Sequence, residues 1–205
     1  MGYILEIHSL DWSALGAALG SGDQGLAARI DEEIGPDLMR AMSAEDRIVW
    51  RKIVEAMIAG RRGQLIRARG PEAAGEAEQL SGMAALAFSG IVQYLGNSLG
   101  QLEHSSSTGD FFRDDFFQQT AMSALRSPIP LQLLYDRPLF GMIGQEFPSW
   151  GGLKRTEIAA ILKAAENADD DEEPEDSDLA GWLYDLRDAL EAAHETPSDL
   201  VAIYY

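Results

Sequence analysis

The chain contains no cysteine and few basic residues. Without thiols it forms no disulfide, thiolate metal site or cysteine nucleophile, a composition typical of a reducing compartment. Its 16 Lys and Arg stand against 34 Asp and Glu, which gives a formal net charge of −18. Because phosphate neutralisation requires clustered Lys and Arg, this imbalance argues against nucleic-acid binding and favours a basic protein partner.

Motifs of catalysis and metal binding are also missing. The sequence has no GxSxG, P-loop or HExxH motif and no GxGxxG that opens a helix after a strand, and its three histidines lie far apart. We therefore predict no catalytic residue, metal or cofactor, and favour a non-enzymatic role. The segment Met1–Glu6 has neither a basic stretch nor a long apolar run, so we expect no signal peptide and a cytoplasmic location.

The 24 residues from Gln79 to Leu102 include no charged side chain. Apolar residues recur there at steps of three and four, which predicts one long helix from Pro71 to Glu103, buried on all sides. Its length also fits a transmembrane span. We favour the buried helix over that alternative, and expect no membrane association, because amides such as Gln93 and Asn97 are unfavourable in hydrocarbon and basic flanks are missing.

The remaining pattern predicts an α+β fold, a mostly helical single domain over 1–205. Strands are expected at Tyr3–His8 and Leu200–Tyr205. The two strands should pair in a small sheet around the central helix, with a third candidate strand at Ile129–Leu134. The glycines and prolines between Gly141 and Gly152 predict a turn-rich connection. Capping and periodicity predict further helices at Trp12–Leu19, Asp23–Ile34, Ala44–Ala59, Arg155–Glu166 and from Ser177 onward.

Acidic residues concentrate between Glu166 and Asp178, where nine acids occur without a base. Such a run cannot pack, and we predict an inserted loop over 167–177. We also predict that this loop binds a basic partner, as in an immunity or antitoxin-type protein. The basic stretch from Arg47 to Arg69 is either a solvated surface or a second docking patch. The candidate partner-binding residues are Asp169, Asp170, Asp171, Glu172, Glu173, Glu175 and Asp176.

A carboxylate cluster gives an alternative function, a small hydrolase or ligand-binding enzyme. Asp110 and Asp114 share a helical face at i,i+4 and could act as a general acid/base pair. Asp115 follows directly, and Glu146 and Trp150 would complete a pocket. The competing interpretation is structural: Asp110 caps a helix, the other aspartates are solvated, and Trp150 belongs to a turn over the edge of the core.

The C-terminal half also carries a resemblance. Leu153, Glu157 and Ile158 fit the phrase L-[ST]-x-x-E-[VI], with Lys154 in place of the capping Ser or Thr. An acidic gap, a Trp-containing helix and an apolar strand follow, in an order that resembles the uncharacterised YfbM-like bacterial proteins. The resemblance implies a compact cytosolic α+β domain over 1–205 and supplies no activity. Similar segments occur at Met1–Tyr3, Val92–Gly96, Ser127–Leu131, Phe147–Pro148 and Gly152–Leu153.

Overall fold

A computed structural model describes residues 3–38, 40, 43–61, 74–104, 115–140, 149–166 and 177–204. These residues confirm the α+β class, with helices and a four-stranded antiparallel sheet. In chain order the elements are β1 (Tyr3–Leu10), α1 (Trp12–Ala18), α2 (Gln24–Glu33), α3 (Gly35–Leu38), α4 (Ala44–Ile58), α5 (Ala74–Leu95), β2 (Asn97–His104), α6 (Asp115–Ala124), a 3-10 helix (Leu131–Leu134), β3 (Ser149–Leu153), α7 (Arg155–Ala165), α8 (Ser177–Glu195) and β4 (Asp199–Tyr204).

Spatial proximity divides the chain into two compact units. The first, called the sheet unit here, comprises Met1–Ser9, Ser98–Arg137 and Trp150–Tyr205. The second, the helical unit, comprises Leu10–Asn97 and Pro138–Ser149 and carries α1 to α5. The expectation of one domain with an acidic insertion stays a prediction.

The sheet has the strand order β2-β1-β4-β3, so the two terminal strands are neighbours, as predicted. Residues Leu200 to Tyr204 are all buried, which means that both faces of β4 are covered. This explains why β4 is a continuous apolar run rather than an alternating one. Leu5 and Ile7 of β1 join the same core as the apolar stripe of α8.

Helices α1 and α4 begin at caps that the sequence predicts. Asp11 Oδ1 accepts a hydrogen bond from the Ser13 N–H at 2.7 Å at the start of α1. Ser43 and Asp46 form a capping box before α4, with each side chain accepting from the other's backbone N–H at 3.2 Å. Helix α4 packs against α5, and its buried residues include Trp50.

The predicted central helix is wrong beyond Leu95. Helix α5 ends there, the Gly96 N–H donates to the Val92 carbonyl at 2.8 Å, and β2 begins at Asn97. Gly-Asn is a helix stop signal that outweighs the apolar spacing behind it. Gly100 adopts a φ of +129°, which interrupts the alternation of β2, so that Leu99 and Leu102 both contact the core. Their three-residue spacing therefore does not indicate a helix.

Two further predictions are wrong in the sheet unit. Leu131–Leu134 is a 3-10 helix, not a strand, because Pro128 and Pro130 just before it lack the N–H groups that a ladder requires. The end of the expected turn-rich connection is strand β3, with Ser149–Leu153 buried throughout. Gly151 lies in this strand because it passes close to the backbone of the 3-10 helix.

Candidate functional site

The outward side of α8 exposes more acidic than basic residues, four carboxylates against Arg187 and His194. The apolar stripe predicted for this helix is buried in the sheet unit and includes Trp182 and Leu186. The opposite side presents Tyr184, Asp185, Asp188, Glu191 and Glu195 to solvent. These five residues are called the acidic helix face here. Four of them, at positions 184, 188, 191 and 195, follow one line along the helix.

The charges of the acidic helix face oppose the electrostatics of the helix itself. Asp185 with Asp188, Asp188 with Glu191, and Glu191 with Glu195 are like-charge neighbours at i,i+3 or i,i+4, and each pair costs a few tenths of a kcal/mol. Glu195 also stands at the C-terminus, where the helix dipole disfavours negative charge. One compensating contact exists: the Arg187 Nε donates to Glu191 Oε1 at 2.9 Å. The arrangement attracts cations at a cost to helix stability.

Tyr184 is the aromatic member of this face, and 68% of its surface is exposed. The sequence interpretation did not include Tyr184 among the candidate residues, because the apolar periodicity of this segment marks only the buried stripe around Trp182. Helical phase would have found it, since a residue two positions from a buried one points to the other side of the helix. An exposed aromatic ring among carboxylates offers apolar area and a π-face for a cationic side chain.

The predicted partner-binding acids Asp169 to Asp176 lie outside the described residues. Helix α8 begins at Ser177, so the run leads directly into the acidic helix face along the sequence. Binding by these acids stays a prediction.

The alternative pocket is also mostly outside the described residues, as Asp110, Asp114 and Glu146 belong to ranges that the structure omits. Asp115 is the first residue of α6. Trp150 lies in β3 and is only 3% exposed. The structure thus does not test whether these residues come together.

The sheet unit contains one polar cluster that the sequence did not predict. Arg137 donates to Glu157 through both terminal nitrogens, at 2.7 Å each, and Arg137 Nη1 also donates to the Gly152 carbonyl at 2.8 Å. Both side chains are 19% exposed. The hydrogen bond from Arg137 lowers the pKa of Glu157, and its counterpart raises the pKa of Arg137. This Arg137–Glu157 ion pair, called the fork here, links β3 and α7 to the segment after the 3-10 helix. Its role is structural.

Glu157 also compensates for the missing cap of α7. Lys154 occupies the capping position, and its N–H donates to Glu157 Oε2 at 2.7 Å. Asp199, from the start of β4, accepts from the Arg155 N–H at 2.9 Å. Two carboxylates therefore satisfy the first two backbone donors at the start of α7, where no capping Ser or Thr is present. Helix α7 begins at Arg155, as predicted.

Removal of the fork is expected to be costly. Arg137→Ala should lower the free energy of unfolding by about 2 kcal/mol, because it leaves a largely buried carboxylate without its bidentate donor. Arg187→Ala breaks the exposed pair with Glu191 and should cost no more than ~0.5 kcal/mol. Urea unfolding of both variants at neutral pH measures the difference.

The effect of Arg137→Ala should also depend on pH. The pKa of Glu157 in the folded protein lies below its ordinary value of 4.5, so the unfolded chain takes up this proton first as pH falls. The stability that the fork supplies is present above that ordinary value and is lost as pH drops through the lowered pKa. The wild type and Arg137→Ala should therefore converge in acid. A difference that stays constant to about pH 2, or an equal effect of Arg187→Ala, would contradict the role of the fork.

The described ranges lack a membrane-spanning helix and a cluster of metal ligands. No helix there is both long and apolar enough to cross a membrane. No group of three His, Asp or Glu side chains within those ranges is placed to hold a metal ion.

Comparison with known proteins identifies a family but no activity. The model of a family described as Domain of unknown function (DUF7691) matches residues 1–205. No curated protein and no solved structure shows a significant match to the chain. The resemblance to an uncharacterised family is thus confirmed in that coarse sense, while the YfbM-like name is not confirmed. The chain belongs to the DUF7691 family, a domain of unknown function that it matches over its whole length.

Proposed function

We propose that the protein is a non-enzymatic binding module that docks a basic protein partner through the acidic helix face and the adjoining acids at 169–176. The observation that carries the proposal is the accumulation of like charges on an exposed helix face that they destabilise. Departures from local stability rules are expected at functional sites, because function compensates for their cost. A cationic partner would relieve this repulsion on binding.

Tyr184 supplies what acids alone lack. Complementary charges across an interface raise the association rate and the specificity of binding more than they raise the affinity. Binding energy is instead concentrated in a few residues, in which Tyr is enriched. The ring of Tyr184 next to Asp185 and Asp188 suits an arginine of the partner, which can stack on the ring and pair with a carboxylate. An immunity or antitoxin-type protein, which blocks a basic toxin by stoichiometric binding, fits this chemistry and belongs to the proposal.

The test begins with capture of partners from the native host by the tagged full-length chain. The expected partner is a protein of net positive charge, retained at ~0.05 M salt and lost at ~0.5 M, because the Debye length falls several-fold across this range. Affinity for the purified partner is then measured for variants of the chain. Identification of a basic protein is only the first step, since a highly acidic chain captures such proteins non-specifically.

Charge-reversal variants separate the acidic helix face from net charge. Asp188→Lys with Glu195→Lys should weaken binding at least tenfold, without lowering the melting temperature, since both changes reduce repulsion on α8. Glu32→Lys with Glu33→Lys makes the same change in net charge on exposed positions of α2 and should leave affinity nearly unchanged. Tyr184→Ala should weaken binding and Tyr184→Phe should not. Equal losses in the two double variants, or no basic partner at either salt, would refute the proposal.

A further inference from the structure

A cavity of about 340 Å³ opens within the helical unit, between α2, α4 and the turn before α2. Its lining has two parts. Ala28 and Ala59 supply small accessible apolar surface, with Ala27 and Ile58 buried behind it. Charged side chains of both signs stand around this surface: Asp23, Arg51, Glu55 and Arg61. The volume lies at the lower end of the range of about 300–1,000 Å³ that is typical of small-molecule sites.

The cavity is built into the packing of α2 against α4. At one end the Gly22 N–H donates to the Ile58 carbonyl at 2.9 Å, in a turn that needs the φ of +68° at Gly22. Further along, the Asp31 carboxylate lies 3.6 Å from Arg47 and 3.8 Å from Arg51. The two helices are thus joined at separate points, and the alanines of α2 between them are too short to fill the space. The charged side chains at the rim of the cavity are 45–55% exposed for Asp23, Arg51 and Glu55, so they are accessible to a ligand.

The charges of the lining balance and are only partly engaged. Arg51 Nε donates to Glu55 Oε1 at 3.2 Å, which uses one oxygen of that carboxylate. Asp23 Oδ1 accepts from the Leu26 N–H at 3.1 Å, and Asp23 Oδ2 lies 3.9 Å from Arg29 Nη2. Among the contacts that the structure describes, the second oxygen of Glu55 and the guanidinium of Arg61 have no assigned partner. A ligand of one charge sign would meet as much repulsion as attraction here, whereas a ligand with both signs would meet complementary groups.

From this balance we infer that the cavity binds a small zwitterion, namely a free α-amino acid with an apolar side chain. Its carboxylate pairs with the guanidiniums of Arg51 and Arg61. Its ammonium pairs with Glu55, with Asp23 beyond it, and its side chain covers Ala28 and Ala59. This site lies on elements of the helical unit and is independent of the acidic helix face, so either proposal can fail alone.

Binding is tested on the full-length chain with the apolar L-amino acids as probes. At least one of them should raise the melting temperature in a concentration-dependent way and titrate with 1:1 stoichiometry by calorimetry. Two analogues of that probe test its chemistry. The amine without the carboxylate and the carboxylic acid without the amine should each bind at least tenfold more weakly. If either analogue bound as tightly as the amino acid itself, the inference that the cavity recognises a zwitterion would be wrong.

Variants place the ligand in the cavity. Glu55→Gln and Arg61→Gln should each weaken the best probe at least tenfold, and Ala28→Phe should abolish binding by filling the space. Lys52 lies on the exposed side of α4, outside the lining, so the control variant Lys52→Gln should bind the probe with wild-type affinity. Melting temperatures without ligand show whether each variant folds. If Ala28→Phe does not fold, Glu55→Gln and Arg61→Gln still test whether the ligand binds in the cavity. No binding of any apolar amino acid, or binding unaffected by Glu55→Gln and Arg61→Gln, would refute the inference.

Discussion

Gly151→Ala is expected to destabilise the protein by about 3 kcal/mol or more, because the backbone around Gly151 leaves no room for a methyl group. A Cβ on Gly151 would lie against the Leu133 carbonyl oxygen and at 2.7 and 2.8 Å from the carbonyl carbon and oxygen of Leu134. A Cβ atom essentially never comes closer than 3.0 Å to a heavy atom of a residue that is not its neighbour in the chain. All three atoms are backbone, so β3 or the 3-10 helix would have to move to make room.

Gly181→Ala is the matched control for this substitution. Gly181 is an exposed residue of α8, and a Cβ there would meet no atom within 4 Å. Because alanine is favoured over glycine in a helix by up to about 1 kcal/mol, this variant should be more stable than the wild type. Urea unfolding followed by circular dichroism measures both changes. If Gly151→Ala unfolded at the wild-type midpoint, the close approach of β3 to the 3-10 helix would be wrong.

Ile91→Asp should prevent folding of the helical unit. Ile91 lies in α5 and has no exposed surface. A carboxylate in this position loses its hydration without a designed partner, which costs several kcal/mol in addition to the lost apolar burial. Domains are stable by only about 5–15 kcal/mol, so this change alone removes most of the margin.

The control for Ile91→Asp keeps the site apolar. Ile91→Val removes one methylene group and should cost about 1 kcal/mol, with unfolding still cooperative. Far-UV circular dichroism and proteolysis of both variants give the measurement. A folded Ile91→Asp protein with the wild-type melting temperature would show that α5 is not enclosed at this residue.

Local signals in the sequence predicted much of the fold. The caps of α1, α2 and α4 depend on a side chain and backbone within three residues of each other, and each begins its helix where expected. The terminal strands were also predicted correctly. Their apolar patterns indicate strands, and because a lone strand leaves its backbone N–H and C=O groups unpaired, the two were expected to pair with each other. The errors at Gly96, Gly151 and Leu131–Leu134 share one cause. Glycine and proline occur in turns, at helix ends and where two backbones approach closely. Tertiary packing decides which of these structures forms, so the residue type alone does not predict it.

The candidate sites were less accessible to sequence reasoning. Arg137 and Glu157 are twenty positions apart, and nothing near either residue marks the other as its partner. Predicting the acidic helix face required knowing which side of α8 faces the core. That orientation is evident once Trp182 and Leu186 are assigned to the core. Ala27 and Ala28 look like ordinary helix formers, and only the neighbouring α4 turns their small size into a cavity.

The strand order has a consequence for synthesis of the protein. In the order β2-β1-β4-β3, the inner strand β4 is the sole neighbour of β3 and one of the two neighbours of β1. A ribosome makes β4 after every other described element, so β1 waits with one unpaired side, and β3 with no partner, until residues 199–204 emerge. The larger segment of the helical unit, Leu10–Asn97, lies between β1 and β2 in the sequence and is made earlier. The sheet is therefore the step at which a chaperone or a bound partner has most time to act on the nascent chain.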